Sequence, residues 1–226
     1  MNGKVIIIGG NKRAGKTTLS NLLHNKYNFN QYNFDMLLDS IETTFEDLDD
    51  GNDDKYIELL DNMINRSLED AKNYGINTLY EYIFTPKQIL KLKNINNVKT
   101  YFLANLDANE NNIESDMMKY SKTYDWPTTA TKEDIKRNIN YILERNKLLK
   151  EECEKYNFRL VNTSREDNRN KILNDLVEEI MKEWNNEIMK YYERHKKWNK
   201  YWNNKWSKRK RKSIIFISKP KIKCRN

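Results

Sequence analysis

The sequence predicts a three-layer α/β fold, a parallel sheet between two layers of helices, with a long basic helix running on at the carboxyl end. Three observations lead there. Lys4-Val5-Ile6-Ile7-Ile8 is a short β-branched apolar run of the kind buried on both faces of a parallel sheet. Helical and strand-like patterns then alternate along the chain, which favours helices on both faces of that sheet. From Glu183 onward 15 lysines and arginines stand against 3 acidic residues, while the preceding residues hold 26 against 30, so a mildly acidic body carries a strongly basic tail.

The elements follow in order. After the first strand and a glycine loop, Leu19, Leu22, Leu23 and Tyr27 keep the three-and-four spacing of a helix's buried face. A second strand fits Phe29 to Phe34 and ends at Asp35. Ile57, Leu60, Ile64, Leu68 and Ala71 lay an apolar stripe along a helix that closes near Tyr74-Gly75, where glycine accepts a left-handed stop. A third strand fits Ile76 to Phe84, ended by Pro86, and a fourth fits Val98 to Ala104. Over 111–130 the pattern loosens and includes Trp126-Pro127. Thr131 with Asp134 resembles a capping box that starts a helix carrying Ile135, Ile139 and Ile142, before a fifth strand at Phe158 to Val161. The last helix begins near Glu166, and its stripe continues through Leu173, Val177, Ile180, Trp184, Ile188, Tyr191, His195, Trp198, Trp202 and Trp206. The chain is therefore expected to divide into a domain over 1–183 and a basic, aromatic helical tail over 184–226.

Composition narrows the class. With 226 residues, 38% hydrophobic and 33% charged, one sizeable α/β domain with an appendage is expected. No apolar run approaches the roughly 20 residues of a membrane span, and Met1 to Ile8 lacks the apolar stretch of a signal peptide, so a cytoplasmic protein is expected. Cys153 and Cys224 lie far apart, as do His24 and His195, which suggests neither a disulfide framework nor a structural zinc site. Cys153 reads as a small residue within a helix.

The loop is the most specific feature. Gly10-Asn11-Lys12-Arg13-Ala14-Gly15-Lys16-Thr17 matches G-x-x-x-x-G-K-[ST] in full, between an expected strand and an expected helix. Backbone N–H groups must converge on phosphate oxygens there. Gly10 and Gly15 supply turns that side chains would block, and the helix amino terminus, with Thr18 in its first turn, adds partial positive charge. Lys16 would reach the β- and γ-phosphates of a nucleotide, and the Thr17 hydroxyl would ligate Mg²⁺. ATP and Mg²⁺ are the cofactors this pattern calls for.

With this loop (the Walker A motif), Asp35 in "YNFDMLLDS" and the stretch "RLVNTSREDNR", residues 4–184 resemble the small P-loop kinases, the group of adenylate, shikimate, nucleoside and polynucleotide kinases. The resemblance implies a P-loop NTPase fold and phosphoryl transfer from ATP. It places Asp35 beside the acceptor hydroxyl, orienting it or taking its proton; by residue pattern alone Asp35 also reads as a helix N-cap. Glu81 in "TLYEYIF" matches the acidic residue that steadies the metal and its water, although the strand's alternation equally allows an exposed edge position. "RLVNTSREDNR" resembles the last strand and the loop that holds the adenine base, and ends in Arg169.

Related kinases close a lid bearing arginines over the transferring phosphoryl group. Here the lid-like segment 111–130 offers Lys119 and Lys122 but no arginine. Arg137 on the next helix, or Arg169, could reach in instead; each could equally be a solvated surface charge.

The tail admits three readings. Its lysines and aromatic rings could hold single-stranded nucleic acid, lie on an anionic membrane, or pack on the domain or a second copy. The functional expectation is an ATP-dependent kinase acting on a hydroxyl or phosphate of a nucleoside, nucleotide or other small metabolite. The alternatives are a nucleic-acid 5′-end kinase and a non-catalytic ATP-binding module with a nucleic-acid or membrane-binding tail. No NKxD base-reading motif follows the loop, which argues against a GTPase.

Overall fold

A computed structural model describes residues 3–44, 53–121, 126–163, 168–185 and 193. The chain forms two compact units, Met1–Val177 and Glu178–Asn226. In the second, residues 178–185 and 193 are helical. Most of the basic tail, including Trp198, Trp202 and Trp206, lies outside the described residues.

The first unit is built on strands β1 (Val5–Gly10), β2 (Asn30–Asn33), β3 (Thr78–Glu81), β4 (Lys99–Ala104) and β5 (Arg159–Asn162). They form one sheet in the order β2-β3-β1-β4-β5, and every pairing is parallel. Helices α1 (Lys16–Tyr27), α2 (Phe34–Thr44), α3 (Asp53–Tyr74), α4 (Pro86–Ile89), α5 (Glu110–Tyr120) and α6 (Lys132–Tyr156) connect them. The chain is an α/β protein with the strand order and loop position of the P-loop NTPase fold. The five expected strands are present with shifted bounds: the second, third and fourth are shorter, the third shrinking to Thr78–Glu81, while the first runs on to Gly10 and the fifth keeps four residues, Arg159–Asn162.

All six residues of β1 are buried, as expected for a central strand covered on both faces. Val5 and Ile7 join Ile57, Leu60 and Ile64 of α3 and Leu149 and Cys153 of α6 in one core. Ile6 and Ile8, pointing the other way, face the layer that includes α1 with its buried Leu19 and Leu23. Burial pushes the Cys153 thiol up to about 12, so it packs as an inert core residue.

Two expectations are corrected. The segment 111–130 is not loose throughout. Asn109 caps α5 by accepting from the Asn112 amide, and Ile113 and Met117 of α5 pack against Ile135, Ile139 and Ile142 of α6. Its polar outer face hides a short apolar stripe, which is why the pattern reads as irregular. Asp35 is not a helix N-cap either; it lies in the first turn of α2, and Asn33 accepts from the Met36 amide at 3.1 Å. The capping box at Thr131 and Asp134 is present, with both reciprocal bonds.

Candidate active site

From β1 the chain crosses to β2 on one side of it, and from β3 it crosses to β4 on the other, so the direction of winding reverses at the carboxyl end of β1. Ligands of open α/β sheets bind at such a switch point. The loop 10–15 occupies it. Gly10 has φ +126°, and a Cβ there would stand 2.1 Å from the Leu103 carbonyl oxygen, so only glycine fits beside β4. Gly15 (φ +89°) lies against Leu173, where a Cβ would approach its Cδ1 to 3.0 Å. Arg13, between them, is also left-handed, with φ 57°.

Asn11 anchors the loop. Its buried amide donates to the Ile142 carbonyl and to Asn146 Oδ1, both at 2.7 Å, and its own Oδ1 accepts from the Lys12 amide at 2.8 Å. Asn146 donates onward to the Asn105 carbonyl at 2.6 Å. This chain of amides ties the loop to α6 and to the end of β4. Ala14 is fully buried, while Lys12, Thr17 and Thr18 are exposed.

Lys16 starts α1, with its ammonium donating to the Asn11 carbonyl at 2.8 Å. Burial is the largest influence on it and lowers its pKa from 10.5 to about 8; Asp35 and Glu81 pull it upward, and Arg145 and Lys12 push it down. Glu81 ends β3, opposite Ile8 of β1 and Asn33 of β2. Its carboxylate accepts from Ser20 Oγ and from Asn33 Nδ2, each at 3.2 Å, and is hydrogen-bonded to Thr17. Burial raises the Glu81 pKa against the pull of Thr17, Lys16 and Ser20. Asp35 is more open, yet partial burial still raises its pKa against the attraction of Lys16 and Lys12.

Lys16, Thr17, Asp35 and Glu81 are thus brought together. Two carboxylates are pushed toward neutrality while one lysine is pushed toward losing its proton. Such a site is short of charge: phosphates would restore the lysine, and a cation would restore the carboxylates. A hard cation suits the hydroxyl of Thr17 and the carboxylate of Glu81. Among the described residues no group of three or more His, Cys, Asp or Glu side chains is placed to hold a metal alone. Mg²⁺ usually needs only one or two protein oxygens beside substrate phosphates, so the donor set fits it.

The two expected arginines are not in one place. Arg169 lies beside Gly15, its Nε donating to the Thr163 carbonyl at 3.2 Å and its guanidinium 3.8 Å from Asp116 of α5. That puts it on the β5 side of the loop. Arg137 is exposed on α6 and paired with Asp134.

The arginine that sequence reasoning missed is Arg145. It lowers the Lys16 pKa by its charge, donates to the Ile83 carbonyl just beyond β3, and keeps a buried Nε with no partner among the described residues. A signal for this region exists in the sequence. The buried face of α6 reads Ile135, Ile139, Ile142, Asn146, Leu149 and Cys153, and a lone asparagine in such a stripe needs a buried partner. Ser20 was likewise legible, one helical turn after Lys16.

No protein-family model matches the chain, and no curated protein matches it. Among solved structures it is similar to a candidate kinase from Chloroflexus aurantiacus, at 15% identity and a TM-score of 0.48, over 82% of this chain and 97% of the other. A gluconokinase from Sinorhizobium meliloti matches at 12% identity and 0.46, over 80% and 97%. A shikimate kinase from Bacteroides thetaiotaomicron matches at 14% identity and 0.46, over 79% and 98%.

Proposed function

We propose that the chain is an ATP-dependent kinase that moves the γ-phosphoryl group of ATP·Mg²⁺ to a hydroxyl or phosphate of a nucleoside, nucleotide or other small metabolite. One observation carries this reading: a glycine-shaped phosphate loop whose Lys16 is flanked by two charge-starved carboxylates, Asp35 and Glu81, with Thr17 bonded to the second.

When bound, ATP·Mg²⁺ supplies the phosphoryl group and the cation that spreads its charge. The loop amides and Lys16 hold the phosphates, and Thr17 and Glu81 hold the cation's side of the site. Arg145 adds positive charge near Lys16, the role for which the lid-like segment has no arginine in 111–130. With a hydroxyl acceptor, its oxygen bonds to the γ-phosphorus as the bond from that phosphorus to the β,γ-bridging oxygen breaks. ADP leaves with the electron pair, and the acceptor's proton passes to Asp35, whose raised pKa makes it a better base than an ordinary aspartate.

The test is ADP formation from Mg²⁺-ATP across a broad acceptor panel, with Lys16→Ala as control. Turnover that depends on acceptor and on Lys16 is expected. No ATP consumption with any acceptor, together with unchanged ATP affinity in Lys16→Ala, refutes the reading. ATP binding that survives Asp35→Ala, with no turnover in either form, indicates a non-catalytic module instead.

The basic tail supports a second reading on the same fold, a nucleic-acid 5′-end kinase. It predicts salt-dependent binding of single strands that disappears when the chain is cut after Glu183; salt-insensitive or absent binding removes it.

A further inference from the structure

Beside the phosphate loop lies an open cleft of about 560 Å³ lined by Lys12, Thr129, Ala130, Asp134, Arg137, Asn138 and Tyr141. Its volume falls within the roughly 300–1,000 Å³ of small-molecule sites. One wall is the loop itself, through Lys12. The other is the first half of α6, where Arg137 and Tyr141 are one turn apart and Asn138 adjoins them, closed by the turn that follows Trp126–Thr128.

The lining is rich in donors and carries two cations. The Lys12 ammonium stands 5.0 Å from the centroid of the Tyr141 ring. The ring face attracts the ammonium and holds it at the cleft. Arg137 gives Asp134 one of its five N–H donors, in a pair whose side chains are 78% and 38% exposed. An ion pair so exposed contributes little, so the guanidinium can turn to a stronger partner. Asp134, the only acid among the described lining residues, is already committed to the Thr131 amide and hydroxyl at 3.1 and 2.7 Å as the cap of α6. Lys12 also joins the cleft to the reaction centre, because its charge is felt by both Asp35 and Lys16.

We propose that this cleft is the acceptor subsite and that the acceptor is a small metabolite carrying an oxyanion, a carboxylate or a phosphate ester. Arg137 and Lys12 hold the oxyanion, and the reacting hydroxyl is presented toward Asp35. Asn138 and Tyr141 add neutral hydrogen bonds that suit a polyhydroxylated body. The inference rests on the kinase reading and narrows it: an uncharged nucleoside or sugar is a poor substrate.

The test uses the full chain and matched acceptor pairs: glycerol and glycerate, glucose and glucuronate, glucose and glucose 6-phosphate, nucleosides and their monophosphates. ADP formation is measured first, then calorimetric binding of each compound to the ADP-loaded protein. The expected result is that at least one anionic member binds and is phosphorylated at least tenfold more efficiently than its neutral partner. Arg137→Gln then raises its KM at least tenfold and leaves the KM for ATP within twofold, and Arg137→Lys restores part of the loss. Arg137 is exposed, so these substitutions leave the fold intact.

Equal or better use of the neutral members overturns the proposal. So does anion binding that Arg137→Gln does not weaken, or no binding of any anionic member. A carboxylate and a phosphate source separate by which pairs respond. Failure of the kinase reading looks different, as ATP binding that does not depend on Lys16.

Discussion

Replacing Lys16 by methionine removes the charge that the fold tolerates least while keeping most of the side chain's volume. The lysine pKa falls from 10.5 to about 8 in the folded protein. A group that holds its proton less tightly when folded opposes folding wherever the unfolded chain is protonated. Stability contributed by this site is therefore lowest below about pH 8 and recovers as pH rises toward 10.5. A shift of that size corresponds to about 3 kcal/mol at most. Methionine also forfeits the hydrogen bond to the Asn11 carbonyl, about 1 kcal/mol, which leaves a net gain of about 1–2 kcal/mol at pH 7. For a domain of this size the ligand-free melting temperature should rise by roughly 3–6 °C. Thermal unfolding by circular dichroism at pH 7 and at pH 10 measures it, and the gain should shrink at the higher pH. The variant should also lose the thermal stabilisation that Mg²⁺-ATP gives the wild type. A melting temperature below wild type at pH 7, or a gain that does not shrink with pH, refutes the claim that burial of the charge dominates at Lys16.

Nucleotide phosphates should bind the protonated lysine, so ATP affinity is expected to be level below about pH 8 and to weaken by up to about tenfold per pH unit above it; a flat fluorescence titration from pH 7 to 9.5 contradicts this. Glu81→Gln keeps the shape but removes the charge that faces Thr17 and Ser20. Its kcat should fall by about a hundredfold, on the scale of losing one electrostatic group, and the Mg²⁺ concentration for half-maximal rate should rise. Asn146→Ala strips one partner from Asn11 and the donor from the Asn105 carbonyl. Urea unfolding should register a loss of about 2–3 kcal/mol, with the KM for ATP raised more than kcat is lowered, because the loop loses its tether. A loss below about 1 kcal/mol would mean that the amide chain contributes no more than one ordinary hydrogen bond.

The phosphate loop was legible because its signals are local: two glycines whose backbone needs bare Cα atoms, a lysine, a threonine, and a strand and helix on either side. The alternation of elements was legible for the same reason, since period-two and three-and-four patterns reflect burial within a few residues. Glu81 could be singled out as a charge in an apolar strand, but not its partners. Asn33 and Ser20 meet it only because β2 pairs with β3 in parallel and α1 returns over them. The lid-like segment misread as loose shows the limit of periodicity when a helix buries only a narrow stripe.

By itself, then, the sequence determined that a glycine loop of G-x-x-x-x-G-K-[ST] pattern, ending in Lys16 and Thr17, follows the first strand of a parallel α/β sheet. Tertiary structure decided the strand order, the convergence of Asp35 and Glu81 on Lys16, the approach of Arg145, and the cleft between Lys12 and Arg137. The reason is physical. Local pattern fixes what an element is, but parallel pairing and helix packing join residues tens of positions apart, and charges titrate according to those neighbours rather than their neighbours in sequence.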